Sequence, residues 1–158
     1  MSKMISIEIA PTLDTNAYAD GDVLGTANPY QIMMPTYRGG GALLQSLVVR
    51  DKANQKIGID FLFFKALPTG TYTNNAAFAI ATADKDRYAG RFSIVAGDYT
   101  TLNSAFAEAT KDAIGKALSY TPSETFGLLY VIPVIRGAGT YAAADLSFRL
   151  SFITGDRS

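Results

Sequence analysis

Apolar and polar residues alternate along much of this chain. In DLSFRLSF, Leu146, Phe148, Leu150 and Phe152 interleave with Asp145, Ser147, Arg149 and Ser151. A period of two puts the two sets on opposite faces of a strand, one packed and one wet. MISIEIA repeats the pattern, with Ile5, Ile7 and Ile9 set against Ser6 and Glu8. Leu43 to Asp51 reads as a third strand. Ile57 to Ala66 is apolar on both faces and is expected at the centre of a sheet. FGLLYVIPVIRG is a further long strand. Pro133 within it has no N–H for a ladder, which predicts an edge position or a bulge. Shorter strands are expected at Tyr30 to Met34, Ala77 to Ala81 and Arg91 to Val95. Turn clusters such as Gly39-Gly40-Gly41, Pro68-Thr69-Gly70, Thr73-Asn74-Asn75 and Gly137-Ala138-Gly139 separate them. Strands at this spacing predict a sandwich or barrel, and no repeat or linker divides residues 1–158, so one domain is expected.

Two segments compete for helix. TADKDRYAG fits one or two turns capped by Thr82 and ended by Gly90. In TTLNSAFAEATKDAIGKAL, Leu102, Ala105, Phe106, Ala109, Ala113, Ile114, Ala117 and Leu118 recur at helical spacing, with Asp98 or Thr100 as cap. Against the second helix, its apolar face is mostly Ala and Gly115 interrupts it.

Composition narrows the chemistry. A chain of 158 residues buries roughly two-thirds of its unfolded surface without a staple. There is no Cys and no His. Thiol chemistry, disulfides, histidine triads and the usual zinc sites are therefore excluded. Fourteen basic residues balance fourteen acidic ones, so there is little long-range pull toward phosphate backbones or anionic membranes, and neither is expected as a partner. Glu8 and Pro11 interrupt the N-terminal stretch before a signal-peptide core forms, and Phe126 to Ile135 is too short to span a bilayer. Synthesis as a soluble cytosolic product is expected.

The candidate sites are few. LDTNAYADGDVLG (Leu13 to Gly25) gathers three acids and an Asn around a Gly. An EF-hand counted from Asp14 puts Tyr18 at position 5, Gly21 at position 8 and Gly25 where the bidentate Glu belongs. The stretch therefore reads as a turn-rich connection into a strand at Val23, with Tyr18 packing over it. Asp60 shares a strand face with Leu62 and Phe64. It is either a general acid in an apolar setting or, the favoured reading, a carboxylate bonded to backbone or an Arg. Glu108 and Glu124 have no partner acid at readable spacing. The Gly39–Gly41 run precedes a strand rather than a helix, and Gly115-Lys116 lacks the earlier Gly of a phosphate loop. No catalytic residue, cofactor or metal is assigned. Tyr30, Tyr37, Tyr99, Tyr120 and Tyr141 lie near turns and are candidates for a surface rim. NPYQIMMPTYRGGG places Met33, Met34, Tyr37 and Arg38 between two prolines and a glycine run, a composition that suits a protein interface.

The layout resembles the small tailed-bacteriophage virion proteins that decorate or cement capsids. The residues that carry the resemblance are LDTNAYADGDVLG, LLQSLVVRDKANQKIGIDFLFF with its Asp60, TYTNNAAFAIATADKDRYAGRFSIV and LLYVIPVIRGAGTYAAADLSFRLSFITGD. Together they cover most of the chain. The resemblance implies an all-β fold: an antiparallel, jelly-roll-like β-sandwich with one or two short helices, and strand rather than helix over Ala105 to Tyr120. It implies a protein without catalytic residues that sits on the virion surface, bound to the major capsid protein. A homo-oligomer, dimer or trimer, is expected, because closed symmetric assemblies add binding area without opening a polymerising edge. Residues 1–12, with Ile5 and Ile7, are expected as an N-terminal arm, and either this arm or the strand with Pro133 is expected to dock by strand addition. Other readings stay open: another phage head or tail structural component, a β-sandwich carbohydrate- or ligand-binding module, and an enzyme built on a carboxylate pair.

Overall fold

Among the described residues the alternation translates into ten strands. The computed structural model describes residues 2–34, 40–122 and 127–155. The strands are β1 (Ser2–Ile9), β2 (Tyr30–Met34), β3 (Gly40–Asp51), β4 (Gly58–Phe64), β5 (Tyr88–Ile94), β6 (Tyr99–Asn103), β7 (Phe106–Lys111), β8 (Lys116–Pro122), β9 (Gly127–Arg136) and β10 (Leu146–Gly155). Every strand pair is antiparallel. One layer runs β1-β10-β3-β8 and the other β2-β9-β4-β5. This interleaving of early and late strands is the double Greek key of a jelly roll. β8 turns the corner between the layers: Lys116 to Tyr120 pair with β3, while Thr121 and Pro122 pair with Leu128 and Gly127 of β9. β6 and β7 form an added hairpin, in which β7 takes the half of β3 that β8 leaves free.

The inward faces make the main core. Phe61 of β4 meets Phe148 of β10 edge-on, with centroids 5.0 Å apart, and Phe63 meets Phe152 at 6.4 Å. Such edge contacts between opposing sheets are favoured by the ring quadrupole. A second, smaller core lies on the outer side of the β2-β9-β4-β5 layer. There Leu62, Phe64, Ile132 and Val134 are covered by Val23, Tyr72, Phe78 and Ile80. This cover explains why Ile57 to Ala66 is apolar on both faces.

Some expectations hold and others change. Residues 99–120 hold strands β6, β7 and β8, as the resemblance implied, and not the helix that their spacing offered. Ala107 and Ala109 are buried while Thr110 is exposed, a period of two that the run of alanines disguised as a helical stripe. Ala113 and Gly115 adopt φ of 52° and 66°, which no helix interior accommodates. The short helix at TADKDRYAG is a 3-10 turn, Thr82–Arg87, with Ala81 rather than Thr82 at its cap and Tyr88 already in strand. A second 3-10 turn spans Ala96–Asp98. Ala77 to Ala81 is not a strand: Ala77 makes one isolated bridge, to Asp22.

Pro133 sits in an interior strand, between β4 and the β1–β2 connection. Its carbonyl accepts from Leu24 N at 2.9 Å, and Ile135 N donates to Asp22 O. In an antiparallel strand a residue's N and C=O point to the same side. The missing N–H of Pro133 therefore faces the irregular 22–24 segment and leaves the β4 ladder intact. Residues 2–9, expected as part of an arm, are a strand paired in full register with β10. Among the described residues no helix is long and apolar enough to cross a membrane.

Candidate functional site

The acid-rich stretch after β1 is a structural clasp. Asp14 Oδ1 accepts the backbone N–H and the side-chain amide of Asn16, both at 2.9 Å, and Asn75 donates to Asp14 Oδ2. These donors, the Asn16 N–H foremost, hold the Asp14 carboxyl below its ordinary range. Tyr18 is buried, accepts the Asp14 N–H and donates to Asn74 Oδ1 at 2.7 Å, which also accepts Gly25 N–H. Asp22 Oδ2 accepts Ala19 N–H at 2.7 Å. Gly25 has φ 94°, and a Cβ there would collide with the Tyr30 hydroxyl and with Pro11. The stretch thus locks the β1–β2 connection onto residues 74–77 and Gly139. Val23 is held by isolated bridges to Asn74 and Val134 rather than in a strand. Among the described residues no three His, Cys, Asp or Glu side chains gather to hold a metal.

The buried acids are committed in the same way. Asp51, fully buried, accepts Ala53 N–H at 2.9 Å and Lys56 N–H at 2.8 Å and so closes the turn between β3 and β4. Asp60 Oδ1 accepts Ser93 Oγ–H, and its Oδ2 accepts Arg136 Nε–H at 2.6 Å with Arg91 at 4.0 Å. The arginine-bonded reading of Asp60 is the one the structure gives. Asp84, which sequence reasoning missed, accepts Thr69 N–H, Gly70 N–H and the Tyr72 hydroxyl, and pairs with Arg87 at 3.2 Å. Burial alone would raise its pKa; the hydrogen bonds from Tyr72, Thr69 and Gly70 outweigh that and leave it well below the ordinary value. Glu108 pairs with Arg50 at 3.6 Å. Glu124 lies outside the described residues.

Among the described residues the expected tyrosine rim does not form. Tyr141 is buried, Tyr99 donates its hydroxyl to Ile57 O at 2.9 Å, and Tyr30 is half-buried against the core. Burial raises the pKa of Tyr99 and Tyr141 far above the usual phenol value. Tyr37 and the Tyr120 side chain lie outside the description.

The four interface candidates among the described residues scatter. Met34 faces inward opposite Gly127 and is 0% exposed, so it belongs to the core. Met33 faces outward beside Leu128 on edge strand β2 and is 53% exposed. Ile5 and Ile7 point inward at the sandwich rim, half-buried against the main core. Tyr37 and Arg38 lie outside the described residues.

What the chain does assemble is a row of apolar residues on the outer face of the β1-β10-β3-β8 layer. Met4 stands opposite Ile153, Ile153 opposite Leu43, and Leu43 opposite Ala117. Directly opposed residues in antiparallel strands share a face. Met4 is 67% and Leu43 40% exposed. Above the row lies a line of hydroxyls, Ser6, Ser151 and Ser46, and beyond it the ion pairs of Arg50 with Glu8 and Glu108. A signal was present in the sequence: Met4 occupies a position that the alternation reserves for polar residues.

No family model matches the chain, and no curated protein matches it. Among solved structures, a chain titled Desmodium yellow mottle tymovirus is similar at 12% sequence identity and a TM-score of 0.28, over 100% of this chain and 85% of that one. A likeness this distant carries no inference about function.

Proposed function

We propose that this protein is a virion structural protein that binds and stabilises the outer surface of a tailed-phage capsid. The observation that carries the reading is the solvent-facing row of Met4, Ile153, Leu43 and Ala117 on the outer face of one sheet layer. It suits a broad, shallow contact with another protein. The resemblance to capsid-decorating proteins and the jelly-roll strand order support it, since that architecture recurs in viral shells. Fold alone does not assign function. The commitments of Asp51, Asp60 and Asp84 to backbone, Ser, Tyr and Arg partners fit a non-catalytic role.

In this reading several copies, joined as a dimer or trimer, each contribute a modest interface to the major capsid protein. Multivalency converts those weak contacts into stable attachment. Copies are made in the host cytoplasm and act on the particle. The test is co-sedimentation and electron microscopy with empty, expanded tailed-phage shells. Native protein should decorate them in a regular lattice, and the double variant Met4→Glu, Leu43→Glu should lose at least tenfold in affinity. Failure of the native protein to bind, or undiminished binding by the variant, overturns the proposal.

A further inference from the structure

The outer face of the second layer carries a different feature. Where the cover over β4 and β9 ends, a cleft of ≈ 370 Å³ opens to solvent. Its floor is apolar: Leu62 of β4, Phe78 and Ile80 of the covering segment, and Tyr88 of β5. Its rim is cationic, formed by Lys85, Arg91 and Arg136.

The charges do not cancel. Asp60 is the carboxylate that meets these cations, and it serves two of them through one oxygen, Arg136 Nε at 2.6 Å and Arg91 at 4.0 Å. Lys85 makes no ion pair among the described residues. Among the described residues, three cations against one carboxylate leave an excess of two positive charges at the cleft, on a chain whose formal net charge is zero. The Arg91 and Arg136 side chains remain 59% and 44% exposed, so their free N–H groups are available to a ligand. The placement is built rather than incidental. Asp84 is drawn inward by Thr69, Gly70 and Tyr72, which pins the 3-10 turn and sets its neighbour Lys85 at the rim. Asp60 holds Arg136 in the same manner from below.

We propose that this cleft is a docking site for an acidic-aliphatic peptide segment of a partner protein, its aliphatic side chains on the floor and its carboxylates on Lys85, Arg91 and Arg136. Charge complementarity selects the carboxylates, since guanidinium groups bind them with directional, charge-assisted hydrogen bonds. The apolar floor selects the aliphatic side chains. The site is an open trough rather than a closed chamber, which suits a chain that enters and leaves it. It lies on the layer opposite the Met4–Leu43 row and does not depend on the function assigned to that row.

The test is fluorescence anisotropy with a labelled Glu-Leu-Asp-Leu-Glu-Leu hexapeptide, its Lys-Leu-Lys-Leu-Lys-Leu counterpart, and decanoate as a competing small anion. The acidic peptide should bind saturably, the basic one should not, and binding should weaken as salt rises. The variant Lys85→Glu, Arg91→Glu should lose about tenfold or more, and Tyr88→Ala should lose severalfold, each compared at a temperature where its own unfolding curve shows it folded. Amide shifts on peptide addition should cluster at residues 62, 80, 88 and 91. Four outcomes overturn the proposal: no saturable binding of the acidic peptide, equal binding of the basic peptide, charge-reversed protein that binds as well as native, or decanoate occupying the cleft while the peptide does not.

Discussion

Asp84 shows how much one side chain can organise. It satisfies two backbone N–H groups and a phenol that the Pro68-Thr69-Gly70 turn leaves buried. Replacing it with Ala would strand those donors and should cost roughly 2–4 kcal/mol of stability, read by urea unfolding. The pH dependence follows from the direction of its shift. A carboxyl whose folded pKa lies below the unfolded value of 3.8 contributes stability that is complete above that value and is lost as the pH falls below it. Asp84→Asn should therefore be less stable at neutral pH and show a shallower acid limb than native. The need for a partner at Thr69 and Gly70 was readable, because such turns expose N–H groups. That Asp84 meets it, rather than Asp86 or Asp60, depends on where the chain returns, and no local pattern encodes that.

Strands resolved unevenly from pattern. β1, β3, β4, β9 and β10 have clear periods or long apolar runs and were anticipated close to their bounds. The Ala-rich stretch 105–118 satisfies both a 3.6 and a 2.0 period, because Ala fits either. Residue geometry at Ala113 and Gly115 and pairing with β3 decide for strand. The same alanines make a prediction. Ala109 is fully buried in the main core and lies opposite Val49 of β3. Ala109→Leu should overpack this seam and destabilise by about 1–3 kcal/mol, seen as a lower urea midpoint with an unchanged slope. Pro133 teaches a related point. The rule that proline avoids central strands concerns the ladder its nitrogen faces, and here that side carries irregular chain rather than β4.

At the level of the whole molecule, the buried phenols set an alkaline limit. Burial raises the folded pKa of Tyr99 and Tyr141 above the unfolded value of 10.0. Such groups contribute stability that is present below that value and lost as pH rises beyond it. Absorbance titration at 295 nm should show these two tyrosines ionising only as the fold opens, and Tyr99→Phe should soften the alkaline limb. Surface substitutions should be separable from stability: Met4→Glu and Leu43→Glu, on exposed positions, should each shift unfolding by no more than about 0.5 kcal/mol while weakening the shell binding proposed above.

The alternation of side chains settled that this chain makes antiparallel sheets with a shared core, and the missing His and Cys settled which chemistries it lacks. Both are local or additive properties, written in the order and number of residues. The apolar row across four strands, the cationic cleft and the partners of Asp60 and Asp84 are different in kind. They bring together residues up to 149 positions apart, Met4 and Ile153. They exist because strand order and register align distant segments, and register is fixed by the packing of all the strands at once.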